Sequence, residues 1–162
     1  MRNRERELVD ALVTWLRGQT FLLYDGTALG FTMVTVGRYP ERAPGFPVAV
    51  VVPLGPVWEN VVLGAGSRLD RVARRVQVAI EVHYEHVDPE IGLYHMSDIF
   101  NQLVEGLLQR PRVLDEVILR VVDTDYSYAI QDKTAQDQEI PDLIPDWGYK
   151  GVGVVVLEAE WR

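Results

Sequence analysis

The cleanest alternation of apolar and polar residues runs from Arg74 to His86, RRVQVAIEVHYEH. Val76, Val78, Ile80, Val82 and Tyr84 fall on one face; Gln77, Ala79, Glu81, His83 and Glu85 fall on the other. A period of two with β-branched residues on its apolar side predicts a strand. One face must be covered, while the other is free to meet water or a partner. We therefore expect a central antiparallel strand whose valine face lies under helices.

The flanking patterns supply those helices. From Asn3 to Arg17 the spacing of Leu8, Leu12, Trp15 and Leu16, widened by Val9 and Val13, predicts an amphipathic helix. Asn3 suits its N-cap and Gly18 its stop. A second helix is expected after Asp88-Pro89-Glu90, with Asp as N-cap and Pro in the first turn. Ile99, Phe100, Leu103, Val104, Leu107 and Leu108 form its stripe. Gly92 weakens the first turn, which moves the expected boundary toward Tyr94, and Arg110-Pro111 ends the helix. Shorter strands are expected at Phe21–Tyr24, Phe31–Val36 and Val48–Val52. Asp25-Gly26 reads as a turn and Arg38–Pro47 as a loop. Pro53-Leu54-Gly55-Pro56 is expected to break the strand, with Val57–Leu63 returning as a hairpin partner. Ser67–Arg75 reads either as a short helix or as the polar start of the central strand. Val113–Val122 is expected as a strand buried on both faces, and Tyr149–Trp161 as the closing strand. Between them, Asp123–Tyr149 carries seven acidic residues and two prolines and reads as a long acidic loop. The sum is an α+β domain spanning 1–162, with a mainly antiparallel (mixed) sheet packed against two helices and 123–149 as an insertion.

Composition narrows the chemistry. With no cysteine, a disulfide scaffold, thiol catalysis and cysteine-ligated metal are excluded. No apolar run approaches the roughly 20 residues of a membrane span, and the charged start MRNRERELVD shows no secretory signal. A net charge of -8 argues against non-specific adsorption to DNA, which needs Lys and Arg to displace counterions.

Candidate catalytic and metal groups have simpler readings. His83, Glu85, His86, Asp88 and Glu90 lie close in sequence, but Asp88 is better explained as a helix cap than as a ligand. His95 reads as a surface or interface residue. Gly64-Ala65-Gly66-Ser67 lacks the lysine and spacing of a phosphate loop and reads as a flexible turn. Asp123-Thr124-Asp125 reads as a solvated strand end rather than a cation site. Ser67, Ser97 and Ser127 stand in no nucleophile context, and Ser97-Asp98 reads as local capping. No catalytic residue, cofactor or metal is expected. The expected subunit or tube interface comprises Arg74, Arg75, Glu81 and His83 on the polar side of the central strand, with Tyr126, Tyr128 and Asp132 in the acidic loop. Aromatic residues are enriched at interface cores. Arg-to-Glu changes at Arg74 or Arg75 are expected to impair assembly while sparing the fold.

The order of elements resembles the tail-terminator (tail-completion) proteins of long-tailed bacteriophages. The resemblance is carried by the helix Glu5–Arg17, the strand RRVQVAIEVHYEH, the helix ending LVEGLLQRP and the strand YKGVGVVVLEAEW. It implies a virion protein, assembled in the host cytoplasm and placed at the head–tail junction. Copies would form a ring, commonly a hexamer, that caps the tail-tube protein, ends tube polymerisation and offers a face to the head connector. DNA would pass through the lumen without specific binding. The resemblance implies neither catalysis nor a cofactor. Two other readings fit the same pattern: another head–tail junction protein, such as a neck or stopper component, or a small α+β ligand-binding or enzyme domain.

Overall fold

The computed structural model describes residues 3–57, 75–109, 111–130 and 148–161. In chain order the elements are α1 (Arg4–Arg17), β1 (Thr20–Leu22), β2 (Ala28–Gly30), β3 (Met33–Val36), β4 (Val48–Val57), β5 (Arg75–His86), α2 (Pro89–Leu108), β6 (Val117–Ile130) and β7 (Tyr149–Trp161). Five strands form one mixed sheet in the order β3-β4-β5-β7-β6, and β1 and β2 form a separate two-stranded ribbon. This is the expected α+β architecture. The alternating strand β5 is the middle strand, antiparallel to both β4 and β7.

Both helices pack on one face of the sheet. Leu8, Leu12 and Leu16 of α1 and Met96, Ile99, Leu103 and Leu107 of α2 are fully enclosed. They share a core with Val76, Val78, Ile80 and Val82 of β5 and with Val155, Leu157 and Ala159 of β7. At about 25 cal/mol per Å² of apolar area removed from water, each such leucine contributes about 1.5–3 kcal/mol. Asn3 accepts a hydrogen bond from the Arg6 amide at 3.0 Å, and the Gly18 amide closes α1 onto Trp15 and Leu16.

The start of α2 stays at Pro89 despite Gly92. The Asp88 carboxylate accepts from the amides of Glu90 and Ile91, each at 3.0 Å. Those two bonds satisfy first-turn donors that the helix cannot satisfy itself. Asp88→Ala is accordingly expected to cost about 1 kcal/mol, measured as a shift of the urea midpoint at unchanged slope.

Three expectations are corrected. Pro53–Pro56 does not end a strand. β4 continues to Val57 through a bulge between Pro53 and Gly55, where Gly55 takes a φ of 96°. The prolines are tolerated because β3 pairs only with Val48–Val51, so the flank of β4 beyond that point has no β3 ladder to break. The hairpin return Val57–Leu63 falls, apart from Val57, outside the described residues, as does Ser67–Arg74. Next, Val113–Glu116 is a turn, closed by the Val117 amide on the Leu114 carbonyl. The strand that follows is a sheet edge rather than a doubly buried strand. Only Leu119 is enclosed, and Val122 is half exposed at the bulge between Val121 and Asp123. Finally, Asp123–Ile130 is not loop but the second half of β6, paired along its length with Tyr149–Val156. Its acidic residues sit at every second position of an edge strand, where charge is tolerated. The remainder, 131–147, lies outside the described residues.

Candidate assembly interface

The sheet presents a second face on which no described helix packs. Successive strand residues point to opposite faces. Arg75, Glu81 and His83 are therefore turned to this side, together with Val152, Val154, Val156, Glu158 and Glu160. The three valines are half-buried. Arg75 lies 3.4 Å from the Glu158 carboxylate, and Arg120 reaches the same oxygen from the neighbouring strand at 3.8 Å. His83 Nε2 is 3.5 Å from Glu81, and the His83 ring stands 4.6 Å from that of Tyr39. A pocket of about 220 Å³ opens here, with Tyr39, Phe46, His83, Glu85 and Lys150 in its wall. Its volume is below the range usual for small-molecule sites.

The Arg75 engagement with Glu158 alters one expectation. Arg75→Glu would set a carboxylate against Glu158 and opposite Glu160, so it would strain the sheet as well as any contact. Arg74 and Asp132 fall outside the described residues.

Tyr126 and Tyr128 lie on the opposite, helix-bearing face, near the outer margin of β6. The Tyr126 ring packs 5.8 Å from Phe100, and its hydroxyl hydrogen-bonds that of Tyr149. Burial raises the pKa of both phenols. Gly151 and Gly153 make room for this packing. A Cβ on Gly153 would meet the Phe100 ring at 2.5 Å, and one on Gly151 would meet the Tyr149 hydroxyl. Between α2 and β6 runs a cleft of about 420 Å³ lined by Leu93, Tyr94, Ser97, Phe100, Asn101 and Tyr126. The expected interface residues are thus divided between the two faces of one sheet.

His95, expected as a surface or interface residue, is only 6% exposed. Its Nδ1 is 2.8 Å from the Tyr84 hydroxyl, and its Nε2 is 2.8 Å from the Asp25 carboxylate. With the Tyr84 hydroxyl donating to Nδ1 and Nε2–H donating to Asp25, every polar atom is matched. The bond from His95, followed by that from the Thr27 amide, lowers the Asp25 pKa to about 2. Burial, followed by the nearby Asp25 charge, pushes Tyr84 up to about 12. The relay ties the β1–β2 ribbon to α2 and to the central strand. Asp98, expected as a cap, does similar work by accepting from the Tyr24 amide at 2.8 Å. Neither role was readable from local sequence, because Asp25 lies 70 residues from His95 and Tyr24 lies 74 from Asp98.

Histidine ligation gains no geometry from the fold. His83 and His86 point to opposite faces, and His86 Nδ1 accepts from the Asp88 amide at 2.9 Å. Among the described residues no three His, Asp or Glu side chains converge to hold a metal ion.

The two margins of the sheet remain. At one end lies β3, four residues long; at the other lies β6, fourteen residues long. Tyr128 and Ile130 of β6 are 52% and 50% exposed, and Val36 of β3 is 50% exposed. All three are on the helix-bearing face. Strand margins present unpaired amides and carbonyls to a further strand. In comparisons with known proteins, no family model matches the chain and no curated protein matches it.

Proposed function

We propose that this chain is a structural ring subunit of the tail-terminator kind, which caps a phage tail tube, stops its growth and presents a face for head attachment. The observation that carries this reading is the pair of unlike margins at opposite ends of one sheet, neither of which pairs with a further described strand. A repeating assembly needs a heterologous contact, in which one patch meets a different patch on the next copy. β3 and β6 supply two such patches on one rigid element. If the rotation between copies closes, the product is a ring. The net charge of -8 suits a lumen through which DNA slides without sticking. In this reading the chain holds no cofactor and catalyses no reaction.

The functional test is tube growth. Purified subunits are added to polymerising tail-tube protein, and tube lengths and ends are imaged. Growth should stop, with a ring seated on tube ends. Unchanged lengths and bare ends would contradict the terminator role. Binding to the head connector alone would turn the assignment to a neck or stopper component.

A further inference from the structure

We infer that neighbouring copies join by antiparallel pairing of β3 from one subunit with the last residues of β6 from the next, in the register Val36 opposite Tyr128 and Val34 opposite Ile130. This rests on the ring reading and specifies its seam.

Strand direction comes first. β4 is antiparallel to β5, and β3 is parallel to β4, so β3 runs against β5. β7 is antiparallel to β5 and β6 is antiparallel to β7, so β6 runs with β5. When a second copy continues the sheet with the same face upward, its β3 arrives antiparallel to the first copy's β6. Such a pair exchanges amide and carbonyl bonds directly across the seam.

The outward backbone groups that have no partner among the described residues fix the position. On β6 the amides of Thr124 and Tyr126 are taken by the carboxylates of Asp123 and Asp125, at 2.9 and 2.8 Å. Amides two residues apart on a strand point the same way. The next outward pair therefore belongs to Tyr128 and Ile130. On β3, the Gly37 amide donates to the Val51 carbonyl at 2.9 Å, so odd-numbered residues face β4. Val34 and Val36 consequently turn their amides and carbonyls outward.

Side chains agree with this register. Val36, Tyr128 and Ile130, all half exposed, come together on the helix-bearing face. On the other face Thr35 stands opposite Ala129. Beyond Val36 the chain leads to exposed Arg38, which is carried toward Asp125 and Asp123 of the neighbour. The two ends of the sheet thus complement each other in backbone polarity, apolar surface and charge.

The register also implies a stagger. Following the pairs Val36–Val51, Val51–Ile80, Ile80–Val155 and Val155–Thr124 across one subunit places Val36 level with Thr124. Pairing with Tyr128 instead shifts each copy by about four residues along the strands. Stagger of this kind tilts strands against the axis of a closed sheet.

The chain has no cysteine, so a cysteine pair reads the seam cleanly. Thr35→Cys and Ala129→Cys are combined, and the protein is oxidised and run without reductant. Within one subunit these positions are four strand spacings apart, roughly 19 Å, far beyond disulfide reach. Covalent species should rise in steps of 18.4 kDa up to the full assembly, while each single-cysteine variant stays uncrosslinked. Rings seen by microscopy without a ladder would overturn the seam and leave the ring reading intact. A dimer from Ala129→Cys alone would overturn it in favour of like-with-like pairing. A ladder on open filaments would uphold the seam and refute ring closure. Monomers at every concentration, with no ladder and no rings on the ends of mixed tail tubes, would refute both.

Discussion

Replacing His95 with alanine is expected to lower unfolding free energy by about 2–4 kcal/mol. Two effects add. The buried Tyr84 hydroxyl loses its partner at 2.8 Å, and an unsatisfied buried donor costs about 1–3 kcal/mol. The vacated imidazole also leaves a cavity beside the buried Tyr84 ring. Urea melts of both proteins measure the loss. A loss well under 1 kcal/mol would mean that the relay is a bystander. The same variant should raise the Asp25 pKa from about 2 toward the ordinary carboxylate range, read by NMR titration. The sign follows from linkage: a depressed carboxylate pKa adds stability above its unfolded value and loses it as pH falls through the folded value. Asp25 therefore contributes at neutral pH, and its contribution fades between about pH 4 and about pH 2. Because Asp25 is exposed, the pH effect is small beside the loss of the buried hydroxyl's partner.

The second large effect is a change of sign within one helix. Gly92→Ala is expected to destabilise by about 1–3 kcal/mol, and Gly106→Ala to stabilise by up to about 1 kcal/mol. Alanine is favoured over glycine by a similar amount at both sites when only the helix is considered. Tertiary contact decides the difference. A Cβ at Gly92 would stand 2.6 Å from the Tyr149 Cβ and 2.9 Å from the His86 Cβ, and atoms so close to the backbone cannot swing aside. A Cβ at Gly106 meets nothing closer than the Trp15 ring at 3.6 Å, an ordinary contact. Thermal melts of the two variants should move in opposite directions. Stabilisation of both variants would show that backbone propensity, not the approach of β7 to α2, governs this helix.

These cases also mark what could be read in advance. The alternation of β5 and the stripes of α1 and α2 needed only local spacing, so the central strand, the two helices and the cap residues Asn3 and Asp88 were legible. Pro53–Pro56 misled because a proline interrupts a strand only where a neighbour requires its amide. β6 was half hidden by its own charge. Asp123, Asp125 and Ser127 masked the alternating Thr124, Tyr126, Tyr128 and Ile130, and the bulge after Val121 broke the period. That alternation was the available signal for an edge strand. The seam was not legible at all, since it depends on which amides the Asp123 and Asp125 carboxylates occupy and on the order in which strands lie in the sheet.

Self-assembly into a closed ring is read from the mass of the wild-type protein by light scattering across a concentration series, with negative-stain images of the same samples and of mixtures with tail-tube protein. Closed rings of a single subunit number are expected, free in solution or seated on tube ends. A protein that stays monomeric alone and leaves the mixed tubes without rings would contradict it.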